Sequence, residues 1–227
     1  MLLVEVPLIL CAALGFHVTL TAPATAKDNE KVKREITITA ILYSFQAMKP
    51  AYWILSLFMT ATALAPYIPS RATNDFVRQL ESMHVPMTLV SQFGLALVVL
   101  AGILRASCYR TLGPFFTFYL SIRKGHKLAT GGPYAFVRHP SYSALLLHPV
   151  GMLLAHGTKG SWLRESGVLH IPGAPTVFWV WWVLFMVCVV MAAARAPEED
   201  EMMKVTFGDE WERWAARVKY RLVPYVY

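Results

Sequence analysis

The sequence predicts an all-α integral membrane protein with about five transmembrane helices and a cytosolic C-terminal amphipathic helix. Of the 227 residues, 56% are hydrophobic and 15% are charged, whereas soluble domains are typically about 45–50% apolar and about 25% charged. The chain also contains five long apolar stretches, and its Lys and Arg residues are concentrated in alternate connecting segments. These observations exclude a disordered chain, a disulfide-rich secreted module and an ordinary cytosolic enzyme.

The five apolar stretches approach the roughly 20 residues that a helix needs to cross a bilayer core. The second stretch is interrupted by Lys49 and Pro50, and it is long enough to tilt or kink where Pro50 removes a backbone N–H. The fourth stretch is short and contains His148 and Pro149 near its middle. The stretches are residues 2–20, 36–67, 86–107, 142–155 and 174–194.

The distribution of Lys and Arg predicts the orientation of these helices, because cytosolic segments are enriched in both residues. Counted from the N-terminus, the connecting segments contain 4, 2, 6, 2 and 6 of them, and Lys49 lies inside the second stretch. This alternation places the N-terminus in the lumen and the third loop and C-terminal tail in the cytosol. The third loop with its flanks contributes Arg105, Arg110, Arg123, Lys124, Lys127 and Arg138.

Residues 1–26 also fit a secretory signal peptide, because their apolar run ends in Ala22-Pro23-Ala24-Thr25-Ala26, which resembles a small-residue cleavage site. However, no positive charge precedes the run. Cleavage would also leave the new N-terminus in the lumen and place the six positive charges of the third loop there. A retained first helix is therefore the favoured interpretation.

The formal net charge of +7 does not indicate nucleic-acid binding, since no basic segment is interleaved with aromatic residues as a single-strand groove requires. Positive charges beside apolar spans favour contact with anionic lipid headgroups. No metal site is predicted, because Cys11, Cys108 and Cys188 have neither CxxC nor Cys/His ligand spacing. The phosphate-loop, dinucleotide, HExxH and nucleophile-elbow motifs are absent as well. Any catalytic chemistry is therefore expected in the two basic segments.

The first of these segments is the end of the third loop, residues 131–142, with the sequence GGPYAFVRHPSY. Its glycines and proline predict a tight turn that exposes the backbone to a ligand. Arg138 and His139 follow where the fourth helix enters the membrane, Pro140 suits a first helical turn, and Ser141 and Tyr142 offer hydroxyls. An ordinary membrane-entry segment with an arginine at headgroup level is the alternative interpretation.

The second segment starts after the fifth helix and contains four consecutive acids, residues 198–201. Acids in a first helical turn stabilise the helix N-terminus. Alternatively, one of them pairs with Arg138 and His139 or with a cationic ligand. Further on, apolar residues at helical spacing alternate with arginines, which predicts an interfacial amphipathic helix on anionic headgroups. Those apolar residues are Trp211, Trp214, Val218 and Leu222.

Together, the two segments resemble the isoprenylcysteine carboxyl methyltransferase family. The likeness covers about residues 110–225 and divides the chain into N-terminal helices (residues 1–109) and a methyltransferase region (residues 110–227). Two aromatic residues, Trp211 and Trp214, stand where the family typically has tyrosines. The matching residues are Gly132, Tyr134, Arg138, His139, Pro140, Ser141 and Tyr142 in the first segment and Arg195, Glu199, Asp200, Met203, Phe207 and Gly208 in the second.

The resemblance implies a multi-pass enzyme of the endoplasmic reticulum membrane with a cytosolic C-terminus. Such an enzyme transfers a methyl group from S-adenosylmethionine to the α-carboxylate of a C-terminal prenylated cysteine. The implied partners are prenylated protein C-termini or prenylcysteine lipids and membrane lipid, without nucleic acid. Arg138 would hold the acceptor carboxylate, and Glu199 is the second catalytic candidate. The implied cofactor-binding residues are Gly132, Tyr134, His139, Pro140, Tyr142 and Glu199.

Two positions depart from the family pattern. Ala144 replaces a common glycine, and its methyl group could crowd a cofactor pocket. Asp200 replaces the second of two glutamates, although Glu198 could take part in a shifted register. His148 is either a functional intramembrane group or a neutral ring that satisfies a carbonyl at the Pro149 kink.

Three other functions remain open from the sequence. A phospholipid N-methyltransferase has a similar cofactor motif but methylates an amine. An NADPH-dependent sterol reductase has a similar C-terminal region but usually more than five spans. A non-catalytic membrane scaffold or small transporter is the third. A transporter would place its polar residues at the bilayer midplane, whereas here they cluster at one predicted cytosolic face.

Overall fold

The computed structural model describes residues 2–23, 36–69 and 74–226, and these residues contain no β-strand. Five basic residues used for orientation (Lys27, Lys31, Lys33, Arg34 and Arg71) and positions 24–26 of the cleavage-like sequence lie outside the described residues. The helices of the described residues are α1 (Leu2–Thr19), α2 (Ile36–Leu64), α3 (Asp75–Ser82), α4 (Leu89–Leu112), α5 (Pro140–Met152), α6 (Trp162–Glu165), α7 (Ala174–Ala193), α8 (Ala196–Phe207) and α9 (Asp209–Arg217).

Each of the five apolar stretches is helical in the structure. α2 continues through Pro50 without a break, and a short 3₁₀ turn at Ala65–Tyr67 follows it. α4 begins after Thr88, whose hydroxyl accepts a hydrogen bond from the Ser91 N–H at 3.1 Å. It ends at Leu112, five residues beyond the predicted limit. The boundary predicted between residues 109 and 110 therefore lies inside α4.

Two helical stretches of the described residues are long and apolar enough to cross a membrane. They are Leu89–Phe115, which contains α4, and Ala174–Phe207, which contains α7 and α8. α1 is apolar but shorter, and the 13 residues of α5 span about 20 Å at 1.5 Å per residue. The all-helical class is thus confirmed, and the two stretches are candidate membrane spans by length and composition.

α4 packs between α1 and α5 with close contacts between backbones. A Cβ atom on Gly102 would lie 2.4 Å from the Cα of Gly15 in α1, and one on Gly94 would lie 2.4 Å from the backbone N of Ala155, just after α5. Only glycine permits such approaches, because any side chain would overlap the neighbouring backbone. These contacts determine where the C-terminal end of α4 lies relative to the start of α5.

The two basic segments meet at one end of this bundle. The backbone N–H groups of Arg138 and His139 donate to the carbonyls of Tyr220 and Arg221 at 2.9 and 2.8 Å. At the opposite end, the rings of Phe58 in α2 and Trp162 in α6 are 5.6 Å apart. The third loop and the C-terminal tail therefore lie on the same side, as their shared positive charge predicted.

The predicted amphipathic helix at the C-terminus is shorter than expected, and its apolar face packs against the protein. α9 ends at Arg217, so Val218 and Leu222 lie beyond it. Trp214 is 5% exposed, and together with Val218 it packs against Cys108, Phe116 and Tyr134. The prediction that this apolar face rests on lipid headgroups was wrong, because helical spacing does not reveal which surface an apolar face covers.

Candidate active site

A cavity lies where the third loop and the C-terminal tail meet the ends of α2, α4, α5 and α7. It is open to solvent on one side. Charged and polar side chains surround one part, and apolar side chains from three helices surround the other. The polar part contains Arg138, His139, Arg195, Glu199 and Asp200, and the apolar part contains Ile38, Leu42, Phe45, Leu145 and Ala192. Such a cavity suits a ligand that has both a polar group and a hydrocarbon chain.

α8 directs two of its four acids into this cavity. The side chains of Glu199 and Asp200 are 29% and 7% exposed, whereas Glu198 and Glu201 are exposed to solvent. Pro197 lies in the first turn of the helix, where its missing N–H has no intrahelical acceptor to lose. The acidic pair of the site is therefore Glu199 and Asp200, and Glu198 does not replace either of them.

Asp200 connects the two basic segments. Its Oδ1 lies 2.9 Å from His139 Nε2, and its Oδ2 lies 3.0 Å from Arg138 Nη1 and 2.9 Å from Arg221 Nε. One buried carboxylate thus accepts hydrogen bonds from His139 and Arg221 and forms an ion pair with Arg138. Charge-assisted hydrogen bonds of this kind are about twice as strong as neutral ones, so Asp200 holds both segments in place.

His139 lies between both acids. Its Nδ1 is 3.6 Å from Glu199 Oε2, while its Nε2 contacts Asp200. Burial alone would lower the pKa of His139. The hydrogen bonds to Asp200 and Glu199 outweigh burial and raise its pKa from 6.5 to about 9. The ring is therefore protonated at neutral pH and positions the two carboxylates, and it has no free lone pair with which to act as a base.

The raised pKa of His139 predicts that stability depends on pH. The folded chain retains the proton that the unfolded chain loses near pH 6.5, so the ring stabilises the fold fully below that pH. This contribution, about 3 kcal/mol at 1.36 kcal/mol per pKa unit, is lost as the pH rises through 9. Thermal unfolding in detergent between pH 6.5 and 9.5 measures it. The His139→Gln variant should lack this part of the pH slope, and identical slopes in the two chains would contradict the assignment.

Arg138 is held by protein groups on two sides. Besides its ion pair with Asp200, its guanidinium carbon lies 5.8 Å from the centre of the Trp211 ring. Its Nη2 also lies 3.5 Å from the Lys219 carbonyl oxygen, so the backbone of the C-terminal tail contacts the guanidinium as well. Arg138 borders the cavity in a fixed orientation.

The other predicted cofactor-binding residues are divided between the cavity wall and its support. Tyr134 and Tyr142 line the cavity. Gly132 and Pro140 do not. Gly132 has φ +56° at the start of a 3₁₀ turn, where a Cβ atom would lie 3.0 Å from Thr111 Oγ1, and Pro140 begins α5. These two residues shape the loop and the helix start.

Part of the chain resembles known methyltransferases. The sequence profile of the isoprenylcysteine carboxyl methyltransferase (ICMT) family matches residues 94–161. The chain is 34% identical over 131 residues to protein-S-isoprenylcysteine O-methyltransferase B of Arabidopsis thaliana, and the alignment covers 57% of each protein. The profile-matched part of the chain, 68 residues or less than a third of its length, resembles the isoprenylcysteine carboxyl methyltransferase family. A probable protein-S-isoprenylcysteine O-methyltransferase of Oryza sativa subsp. indica is 26% identical over 188 residues, which are 82% of this chain and 80% of that protein.

A second group of relatives shares a smaller region. The Delta(14)-sterol reductase of Neurospora crassa is 27% identical over 126 residues, which are 48% of this chain and 25% of that protein. The chain thus spans 57% of the Arabidopsis methyltransferase and a quarter of the reductase. The segment that matches the ICMT profile includes most of α4, all of α5 and the Arg138-His139-Pro140 sequence, whereas Glu199 and Asp200 lie after it.

The two departures from the ICMT pattern do not obstruct the cavity. Ala144 is fully buried and does not line it, so its methyl group does not crowd that space. Asp200, one methylene shorter than glutamate, forms three contacts of 3.0 Å or less. The His148 ring is fully buried and does not line the cavity, and its Nδ1 lies 3.1 Å from the Ala144 carbonyl one turn earlier.

Sequence reasoning missed several residues of the candidate site. Arg105 lines the cavity from α4, and an arginine inside an otherwise apolar span could have indicated it. Asp200 was recognised as part of a motif, but its role as the common partner of Arg138, His139 and Arg221 depends on three-dimensional contacts. His126 lines the cavity between the rings of Phe115 and Phe207, at centroid distances of 4.8 and 5.8 Å, and no sequence pattern identifies it.

Proposed function

We propose that the protein transfers the methyl group of S-adenosylmethionine to the C-terminal carboxylate of a prenylated cysteine. The observation that best supports this is a cavity that has both a charged part and an apolar part and lies beside the segment that matches the family. An isoprenyl chain of such a substrate suits the apolar part formed by α2, α5 and α7. The charged part suits a carboxylate and a cationic cofactor.

The residues of the cavity fit the chemistry of S-adenosylmethionine. Two polar atoms in the cavity lining, His126 Nδ1 and Trp211 Nε1, are buried without a hydrogen-bond partner among the described residues. Burial lowers the pKa of His126, so its neutral ring has one donor and one acceptor nitrogen. Such groups suit the nitrogens of an adenine ring, and the carboxylate of Glu199 suits the amino group or ribose hydroxyls. Tyr134 and Tyr142 add aromatic surface.

When bound, S-adenosylmethionine supplies a methyl group on a positively charged sulfur, so an O–C bond forms as the S–C bond breaks and no proton moves. The acceptor carboxylate is already an anion at neutral pH, so the chain need not provide a base. Arg138 orients the carboxylate, while Asp200 and Trp211 hold Arg138. Alignment and the exclusion of water are then the main sources of rate enhancement.

We further propose a multi-pass protein of the endoplasmic reticulum membrane with five spans (α1, α2, α4, α5 and α7) and a cytosolic C-terminus. The alternating Lys and Arg counts support this orientation, as does the contact between the third loop and the tail. A retained first helix is supported by the backbone contact between Gly15 and Gly102. Membrane lipid would then surround the exposed apolar faces of these helices.

Sterol reduction is the second candidate, because the chain resembles the Neurospora reductase over nearly half its length. One experiment separates the two. Purified protein is incubated with labelled S-adenosylmethionine and either a farnesylated cysteine analogue or phosphatidylethanolamine, and in parallel with NADPH and a Δ14-sterol. We expect methylation of the cysteine carboxylate alone. Turnover only of phosphatidylethanolamine, or only of the sterol, would refute the proposal.

A further inference from the structure

Arg105 is a buried arginine to which the proposed reaction assigns no role. It lies in the last two turns of α4, is 2% exposed and lines the cavity. Its Nε donates to the Tyr109 hydroxyl at 3.1 Å, and its Nη1 donates to the Ser141 carbonyl at 2.9 Å and to the Ser141 hydroxyl. Its Nη2 makes no hydrogen bond to the described residues, so two donor protons of the guanidinium stay uncommitted.

The charge of Arg105 is compensated differently from that of Arg138. Arg138 pairs with Asp200, whereas no carboxylate pairs with Arg105 among the residues that the structure describes. Instead, its guanidinium carbon lies 5.1–5.4 Å from the ring centres of Phe116, Phe118 and Tyr109. Cation–π contacts offset only part of the cost of burying a charge. An anion in the cavity would complete the compensation.

Arg105 also lies at the boundary between the polar part and the apolar part of the cavity. Its partner Ser141 is in the first turn of α5, and Leu145 of the apolar part follows four residues later, about 6 Å deeper along the helix. Arg138 precedes α5 on the polar side. Arg105 therefore lies between the two parts of the cavity. The head group of an amphiphilic ligand would lie at this position, with its hydrocarbon tail among the apolar residues.

We propose that Arg105 binds the carboxylate of the acceptor from the membrane side, while Arg138 binds it from the polar side. The inference rests on the proposed function and assigns Arg105 as the residue that selects a carboxylate over an uncharged head. Ser141 and Tyr109 orient its guanidinium. The selection arises because an uncharged head would leave the buried cation without an anion.

The test compares the binding of S-farnesylcysteine with that of its uncharged carboxamide. In the Arg105→Gln variant we expect the Kd of the carboxylate to rise about tenfold or more, as loss of a charged hydrogen bond predicts. The Kd values of the carboxamide and of the cofactor should stay within about twofold of their wild-type values. A structural role would weaken both ligands equally. Equal weakening, or no change in either Kd, would overturn the inference.

A second variant, Ser141→Ala, tests the inference if the Arg105→Gln chain does not fold. Ser141→Ala keeps the charge of Arg105 and its bond to the Ser141 carbonyl but removes the hydroxyl contact, so the preference for carboxylate over carboxamide should fall by only about threefold. An unchanged preference would contradict the inference. A wild-type chain that binds the cofactor but methylates no prenylcysteine refutes the proposed function itself. An active wild type whose preference survives Arg105→Gln refutes only the role of Arg105.

Discussion

Replacing Asp200 with alanine is expected to abolish methyl transfer and to destabilise the fold. The change leaves Arg138, His139 and Arg221 without their common carboxylate. Removing one partner of a buried ion pair typically costs about 3–5 kcal/mol, because the remaining charges stay buried and uncompensated. A loss of that size from the transition state corresponds to about 100-fold or more in rate. Thermal unfolding and the initial rate of methylation measure the two effects.

A neighbouring acid on the same helix provides the control for Asp200. Glu201 is exposed to solvent, so Glu201→Ala should change the free energy of unfolding by no more than about 0.5 kcal/mol. An Asp200→Ala chain as stable and as active as the Glu201→Ala chain would show that the contacts of Asp200 do not hold the site together.

Replacing Glu199 with glutamine is expected to weaken cofactor binding by about 10- to 100-fold. The substitution keeps the size of the side chain and removes its charge, and hydrogen bonds to a charged group are worth about 1.5–3 kcal/mol. Asp200 still holds Arg138 and His139 in this variant, so the fold should be less affected than by Asp200→Ala. Isothermal titration of S-adenosylmethionine into the detergent-solubilised protein gives the Kd.

The matched variant for Glu199 is Glu198→Gln, which removes the same charge from the exposed neighbouring position. Its Kd for the cofactor should remain within about twofold of the wild-type value, because exposed charges act weakly through solvent. A Glu199→Gln chain with the cofactor affinity of Glu198→Gln would exclude Glu199 from the cofactor site.

The helices of this chain were predictable where composition alone determines them. α2 and α7 coincide with long apolar stretches, and uninterrupted apolar runs of about 20 residues favour helices. The C-terminal helix was less predictable. Trp214 and Val218 have helical spacing, but the chain leaves the helix after Arg217 and buries Val218 against the third loop. That choice depends on tertiary contacts, which a periodic pattern does not contain.

The candidate site shows the same division. Arg138, His139 and Glu199 were recognisable because they lie in short motifs beside apolar spans. Which acids of α8 face inward could not be read from four consecutive carboxylates, because the rotation of the helix is set by its contacts with His139 and Arg221. Arg105 was counted only as a loop charge, since its closeness to Ser141 depends on the packing of α4 against α5.

The contact between the C-terminal segment and the third loop has a consequence for the timing of assembly. The carbonyls of Tyr220 and Arg221 that accept from Arg138 and His139 come 82 residues later in the chain. At about 5–20 residues per second, a ribosome needs about 4–16 seconds to add them. During this interval α5 and α7 can already be in place while the hydrogen-bond partners of Arg138 and His139 do not yet exist. The contact between the third loop and the tail is therefore among the last contacts that the nascent chain can form.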